Sequence, residues 1–120
     1  MARILLADDD AAVRDLVRRA LTGDGHTVHV TQDGGEALDY FEQHAGEVDM
    51  IVTDVDMPVL DGVSLVKQAV ARKAGLAVVL MSGFSDQLER AGGLHIVRAA
   101  SISKPFTLEQ IRQTVRSLIA

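Results

Sequence analysis

A chain of 120 residues has the size of one domain, and 48% hydrophobic residues with only 3% aromatics describe an aliphatic core rather than a disordered segment. No cysteine is present, which excludes disulfides and thiolate metal sites and agrees with a cytoplasmic location. A net charge of −5 without any block of lysines or arginines excludes a general attraction to phosphate backbones. No apolar run reaches the roughly 18 residues of a membrane span, so neither nucleic acid nor membrane is expected as a direct partner.

The amino end, MARILLADDD, is too short in apolar residues for a signal peptide and meets three acids at once. Arg3 to Ala7 reads as a buried strand ending at Asp8-Asp9-Asp10. Val13, Leu16, Val17, Ala20 and Leu21 recur at helical spacing, with Arg14, Asp15, Arg18 and Arg19 on the other face and Gly23 and Gly25 at the end. Thr27 to Thr31 alternates and is β-branched, a second strand. Ala37, Leu38 and Phe41 mark a helix after an Asp33-Gly34-Gly35 turn, lost by Gly46. Val48 to Thr53 is a third strand, apolar enough to be covered on both faces, and it stops at Asp54. Met57-Pro58 and Asp61-Gly62 are loop signals, Gly62 tolerating positive φ.

Val63, Leu65, Val66, Ala69 and Val70 supply a third helix, finished by Gly75. Leu76 to Met81 is a fourth strand that breaks at Ser82-Gly83. From Phe84 to Gly93 the pattern is weak, with Leu88 and Ala91 hinting at a short helix. His95 to Ala100 reads as an edge strand, Ser103-Lys104-Pro105 as a loop, and Thr107 as the cap of a last helix striped by Leu108, Ile111, Val115, Leu118 and Ile119.

Strands alternating with helices, without internal repeat or linker, call for a parallel sheet covered on both faces: a flavodoxin-like (βα)5 three-layer sandwich of order 2-1-3-4-5. Its switch point lies between the first and third strands, where Asp8, Asp9 and Asp10 would meet Asp54. A carboxylate is costly inside a sheet, so Asp54 belongs at the carboxyl edge. Converging carboxylates repel one another, and a hard oxygen-seeking cation such as Mg²⁺ relieves them. Taken alone, the three consecutive aspartates read first as a helix N-cap with dipole-favoured acids, and the location of Asp54 shifts that reading. Ser82 and Lys104 would reach the same edge from the fourth and fifth strands, although singly they are a turn and a surface loop. Jointly these residues make an anion-handling site with its metal. His26, His29, His44 and His95 are scattered and show no zinc spacing, and no Walker-type glycine loop is present.

The order ILLADDD, VTDVDMP followed by DG, LMSG and SKPF resembles the CheY-like receiver domains of bacterial two-component response regulators, over essentially all of residues 1–120. The resemblance implies that Asp54 is the phosphoacceptor, served by a sensor histidine kinase or a histidine phosphotransfer protein. It implies that Asp9 binds Mg²⁺ directly, Asp8 through water and Asp56 by its backbone carbonyl. It assigns Ser82 as the switch hydroxyl and Lys104 as the cation that pairs with the phosphoryl group, ahead of a cis proline bond. Such a domain catalyses its own phosphorylation and slow dephosphorylation and acts mainly as a signalling switch. Ser101 departs from the aromatic expected three residues before the lysine, and Phe84 is the candidate substitute.

Within the family, LMSGF and SKPFTLEQI resemble the single-domain CpdR-type group of protease adaptors, which implies a protease adaptor target as the downstream protein partner. The Met1 start and helix-complete end favour a stand-alone receiver. A phosphate sink or shuttle and a receiver fragment of a hybrid histidine kinase stay open. A haloacid-type hydrolase also fits the Asp8-x-Asp10 spacing, but the chain lacks room for a cap domain.

Overall fold

The computed structural model describes residues 1–83 and 98–119. Five parallel strands, β1 (Arg3–Ala7), β2 (Thr27–Thr31), β3 (Met50–Asp54), β4 (Ala77–Ser82) and β5 (Arg98–Ser103), form one sheet of order β2-β1-β3-β4-β5. Among the described residues, the helices are α1 (Ala11–Gly23), α2 (Gly34–His44), α3 (Gly62–Arg72) and α4 (Leu108–Ile119), with a 3₁₀ turn at Ala45–Glu47. The expected helix within Phe84–Gly93 falls outside the described residues.

The aliphatic runs divide by strand alternation into two cores. Leu5, Ile51, Val78 and Leu80 point to one face, where Phe41, Leu65 and Val66 of α2 and α3 cover them. Ile4, Leu6, Val52, Val79 and Met81 point to the other, against Val17 and Leu21 of α1 and Ile111 and Val115 of α4. Cover on both sides leaves β3 and β4 buried throughout and apolar up to their last one or two residues, while the edge strands β2 and β5 alternate. Phe41 is fully buried, and its truncation to alanine is expected to cost about 3–5 kcal/mol.

Local caps fix where the helices start. Asp10 accepts from the N–H groups of Ala12 and Val13, Asp33 from Glu36 and Asp61 from Ser64. Thr107 and Gln110 cap α4 reciprocally: the Thr107 hydroxyl accepts from Gln110 N–H at 3.1 Å, and Gln110 Oε1 accepts from Thr107 N–H at 2.8 Å.

Four sequence expectations change in detail. The Gly34-Gly35 pair is the first turn of α2 rather than a turn before it, because Asp33 already caps the helix. β3 begins at Met50, since Val48 closes the 3₁₀ turn. β4 is shifted by one residue and takes in Ser82. The alternation in the sequence ends at Ala100, yet β5 runs on to Ser103, because its backbone pairs with the whole of β4 from Ala77↔Arg98 to Ser82↔Ser103. Exposed serines on an edge strand hide that continuation; residues 95–97 lie outside the described ones.

Candidate functional site

The carboxyl ends of β1, β3, β4 and β5 carry the candidate residues. Pairing of β1 with β3 ends at Ala7↔Thr53, so Asp8 and Asp54 emerge side by side just beyond the ladder. Asp8 is fully buried and every part of it is engaged: its N–H donates to Thr31 O at 3.3 Å, Oδ1 accepts from Asp10 N–H at 2.8 Å, and Oδ2 accepts from Lys104 Nζ at 3.0 Å. Asp54 is 6% exposed, and its Oδ2 lies 3.4 Å from Lys104 Nζ. Asp9 is exposed, and its carboxylate completes with Asp8 and Asp54 a group of oxygens within 4.8 Å of one another.

Lys104 reaches this group from a backbone tied down by its own N–H, which donates to the carbonyl of Ser82 at 2.7 Å. The Lys104–Pro105 bond is cis. Ser82 is buried at the end of β4, one position beyond Met81, the register partner of Asp54. Asp56 is exposed, and its backbone N–H donates to the Asp54 carboxylate. The structure thus gathers Asp8, Asp9, Asp54 and Lys104 into one cluster, with the Asp56 backbone and Ser82 on its rim. Asp10 turns away as the α1 cap, which also removes the second acid that a haloacid-type DxD motif needs.

Burial raises the Asp54 carboxyl from 3.8 to about 6. The negative charge of Asp8 adds to the rise, while Lys104 and the Asp56 N–H oppose it. Lys104 is pulled down by its own burial, but the hydrogen bond and charge of Asp8, helped by Asp54, outweigh that and hold it above its usual value. It is therefore cationic at neutral pH. Three carboxylates against one ammonium leave the pocket negative, and its donors are all oxygen, so the residues fit a hard divalent cation such as Mg²⁺. Among the described residues no histidine joins this group. His29 and His44 instead sandwich Tyr40, with ring centroids 3.7 and 4.1 Å apart.

The loop after β3 differs from the sequence expectation in one respect. Gly62 does not sit at positive φ; it is required because an added Cβ would lie 2.1 Å from the Asp54 carbonyl oxygen. Positive φ falls instead on Val59, at 71°, in a three-residue turn closed by Leu60 N–H to Pro58 O at 2.8 Å. Gly34 makes room for this loop, since a Cβ there would stand 1.8 Å from the Leu60 carbonyl oxygen. Two further residues support the site without a sequence signal of their own. Thr31 takes the Asp8 N–H, and Arg14, assigned by helical phase to the outer face of α1, donates from Nη1 to the Asp8 carbonyl at 2.9 Å.

Strand order and the acids at the switch point define a doubly wound, flavodoxin-like protein of the CheY-like kind. Residues 4–116 match the response regulator receiver domain model, and the chain belongs to that family. It is 37% identical over 117 residues to the response regulator MprA of Mycobacterium sp. (strain KMS), a match covering 98% of this chain and 50% of that protein. It is 34% identical over 118 residues to the sensor kinase CckA of Brucella abortus (strain 2308), covering 98% of this chain and 12% of the kinase. Among solved structures, the chemotaxis protein CheY4 of Vibrio cholerae superposes with a TM-score of 0.86 at 26% identity, over 99% of each chain. The chain spans about half the length of the MprA relatives it matches. Among the described residues no helix is long and apolar enough to cross a membrane.

Proposed function

We propose that this chain is a phosphorylation switch in a two-component phosphorelay. Asp54 accepts a phosphoryl group from the phosphohistidine of a sensor kinase or phosphotransfer protein, with Mg²⁺ held by Asp8, Asp9, Asp54 and the Asp56 carbonyl. The observation that carries this reading is the three-carboxylate group closed by Lys104, which contacts Asp8 and Asp54 at 3.0 and 3.4 Å. The Asp54 carboxylate attacks phosphorus; a P–O bond forms, the P–N bond breaks, and its electron pair stays with the departing imidazole. Lys104 approaches the oxygens on which charge gathers, and Ser82 supplies a hydroxyl once the acyl phosphate has formed. When bound, the metal neutralises charge on the phosphoryl oxygens. The acyl phosphate carries more negative charge than the carboxylate it replaces, in a pocket where burial and Asp8 already disfavour the Asp54 anion, so its stability depends on the Lys104 ammonium and on the metal.

The phosphorylated chain then presents an altered surface to a protein partner. Ser101 is exposed on β5, so no inward aromatic turn occurs there; the alternative route through Phe84 to Gly93 lies outside the described residues. The CpdR-type likeness makes a protease adaptor target one such partner. Labelling with acetyl phosphate or a phosphohistidine donor, followed by intact mass, tests the assignment. Uptake of one phosphoryl group, lost with EDTA and lost in Asp54→Asn, is expected; labelling that survives either change refutes it.

A second reading, the receiver of a hybrid kinase, is favoured by the CckA match over only 12% of that protein. The length of the full open reading frame distinguishes the two.

A further inference from the structure

Three arginines lie along α1, and they do different things. Arg18 and Arg19 pair with Asp15 on the outer surface. Arg14 is half-buried and sends Nη1 back over the helix start to the carbonyl of Asp8, at 2.9 Å. That carbonyl needs a donor, because the β1 ladder ends at Ala7 on both sides and Asp8 itself is fully buried.

We infer that Arg14 is a positioning residue for the carboxylate group: by holding the Asp8 backbone it sets the separation of the Asp8 and Asp9 carboxylates. This rests on the metal-dependent reading above. The other restraints on the segment are the 3.3 Å bond from Asp8 N–H to Thr31 O and the Asp10 contacts, namely its N–H to Asp8 Oδ1 and its cap of α1. Those fix the ends of the Asp8–Asp10 turn, and Arg14 fixes the peptide between Asp8 and Asp9, from which the exposed Asp9 carboxylate is aimed. An arginine so close to a cation site also repels the cation, so its two effects on metal affinity have opposite signs. Loss of an outer partner that orients ligands typically lowers metal affinity about 10–100-fold. The guanidinium charge is spread over its donors and shared with a carbonyl, which softens the repulsion.

Arg14→Met and Arg14→Gln remove the donor and the charge, and Arg14→Lys keeps the charge and one donor. Mg²⁺ affinity is measured by calorimetry, with cooperative unfolding in EDTA as the check on folding. The Mg²⁺ dependence of acetyl phosphate labelling is followed beside it. The dissociation constant should rise about tenfold in the neutral variants and recover in part in Arg14→Lys. The labelling rate at saturating Mg²⁺ should stay at the wild-type level, a split that general loosening of the fold would not produce. If Arg14→Met fails to fold, the more polar Arg14→Gln decides. Affinity equal to or tighter than wild type in the folded neutral variants overturns the role of Arg14 alone. A wild-type chain that takes up no Mg²⁺ overturns the metal reading and this inference together.

Discussion

Asp54 is held in a pocket that disfavours its charge, so replacing it with asparagine should stabilise the metal-free protein. The folded carboxyl stands at about 6 against an ordinary value of 3.8, with burial the leading cause and Asp8 the next. Between those values the folded state keeps a proton that the unfolded chain has released. Stability therefore falls as pH rises through that window: the penalty is absent below 3.8 and complete above 6. A displacement of that size corresponds to about 3 kcal/mol as a ceiling. Water at the open mouth screens the pocket, so roughly 1–2 kcal/mol is the expected gain. Asparagine keeps the shape of the protonated carboxyl and can still accept the Asp56 N–H.

Thermal unfolding in EDTA should show Asp54→Asn melting roughly 4–8 °C above wild type at pH 7.5. At pH 4.5 about a third of the difference should remain, because most of the wild-type penalty has been removed by protonation. Comparing the variant with wild type at each pH cancels the other titrating groups. Adding Mg²⁺ should narrow the gap, since the cation stabilises the form that keeps all of its carboxylates. An Asp54→Asn protein less stable than wild type in EDTA, or a gap equal at both pH values, would show that the pocket does not strain this charge.

The same contacts make three further predictions. Lys104→Met should raise the Asp54 carboxyl above about 6, because the ammonium at 3.4 Å is the main group opposing the rise; a carbon-13 carboxyl titration that leaves it in place would remove Lys104 from the electrostatics of the site. Gly62→Ala should cost about 3 kcal/mol or more, since the new Cβ would meet backbone at 2.1 Å and neither side can yield, whereas Gly75→Ala, with nothing within 4 Å, should lie between neutral and about 0.5 kcal/mol stabilising. Urea midpoints that rank the two glycines equally would contradict the packing of the β3–α3 loop. Thr107→Ala should cost about 1 kcal/mol through loss of the α4 cap, and an unchanged urea midpoint would mean that the reciprocal Thr107–Gln110 bonds do not hold in solution.

The edges of β1 and β3 were legible because each is marked by a residue the interior rejects. Asp8 and Asp54 are costly inside a sheet covered on both faces, so they mark the carboxyl edges: Asp8 follows the last residue of β1, and Asp54 is itself the last residue of β3, one beyond the expected end at Thr53. β5 lacks such a marker on the inner side: its sequence, RAASIS, is one-third serine and largely exposed, and only its pairing with β4 shows its extent. The Gly62 backbone was misread for a related reason. A glycine after Asp signals a turn by its freedom of φ, yet here the constraint is a backbone 2.1 Å from the missing Cβ, a distance between segments that no local pattern encodes.

The three consecutive aspartates show what sequence spacing can and cannot assign. Both readings of them, helix cap and acid cluster, hold, but for different members. Asp10 spends its carboxylate on the N–H groups of Ala12 and Val13, Asp8 is buried with its two oxygens divided between Asp10 N–H and Lys104, and Asp9 is left exposed. The division follows from the turn out of β1: the chain leaves the sheet at Asp8, and α1 begins at Ala11, so one acid faces inward, one caps and one is displayed. Arg14 was placed on the outer face because helical phase treats every turn alike. In the first turns of α1 a long side chain can instead reach back to the loop before it, where the Asp8 carbonyl waits without a ladder partner. A cation four to six residues after a strand-ending acid is therefore a candidate anchor for that acid's backbone, and its sign on metal affinity is what separates anchoring from simple charge.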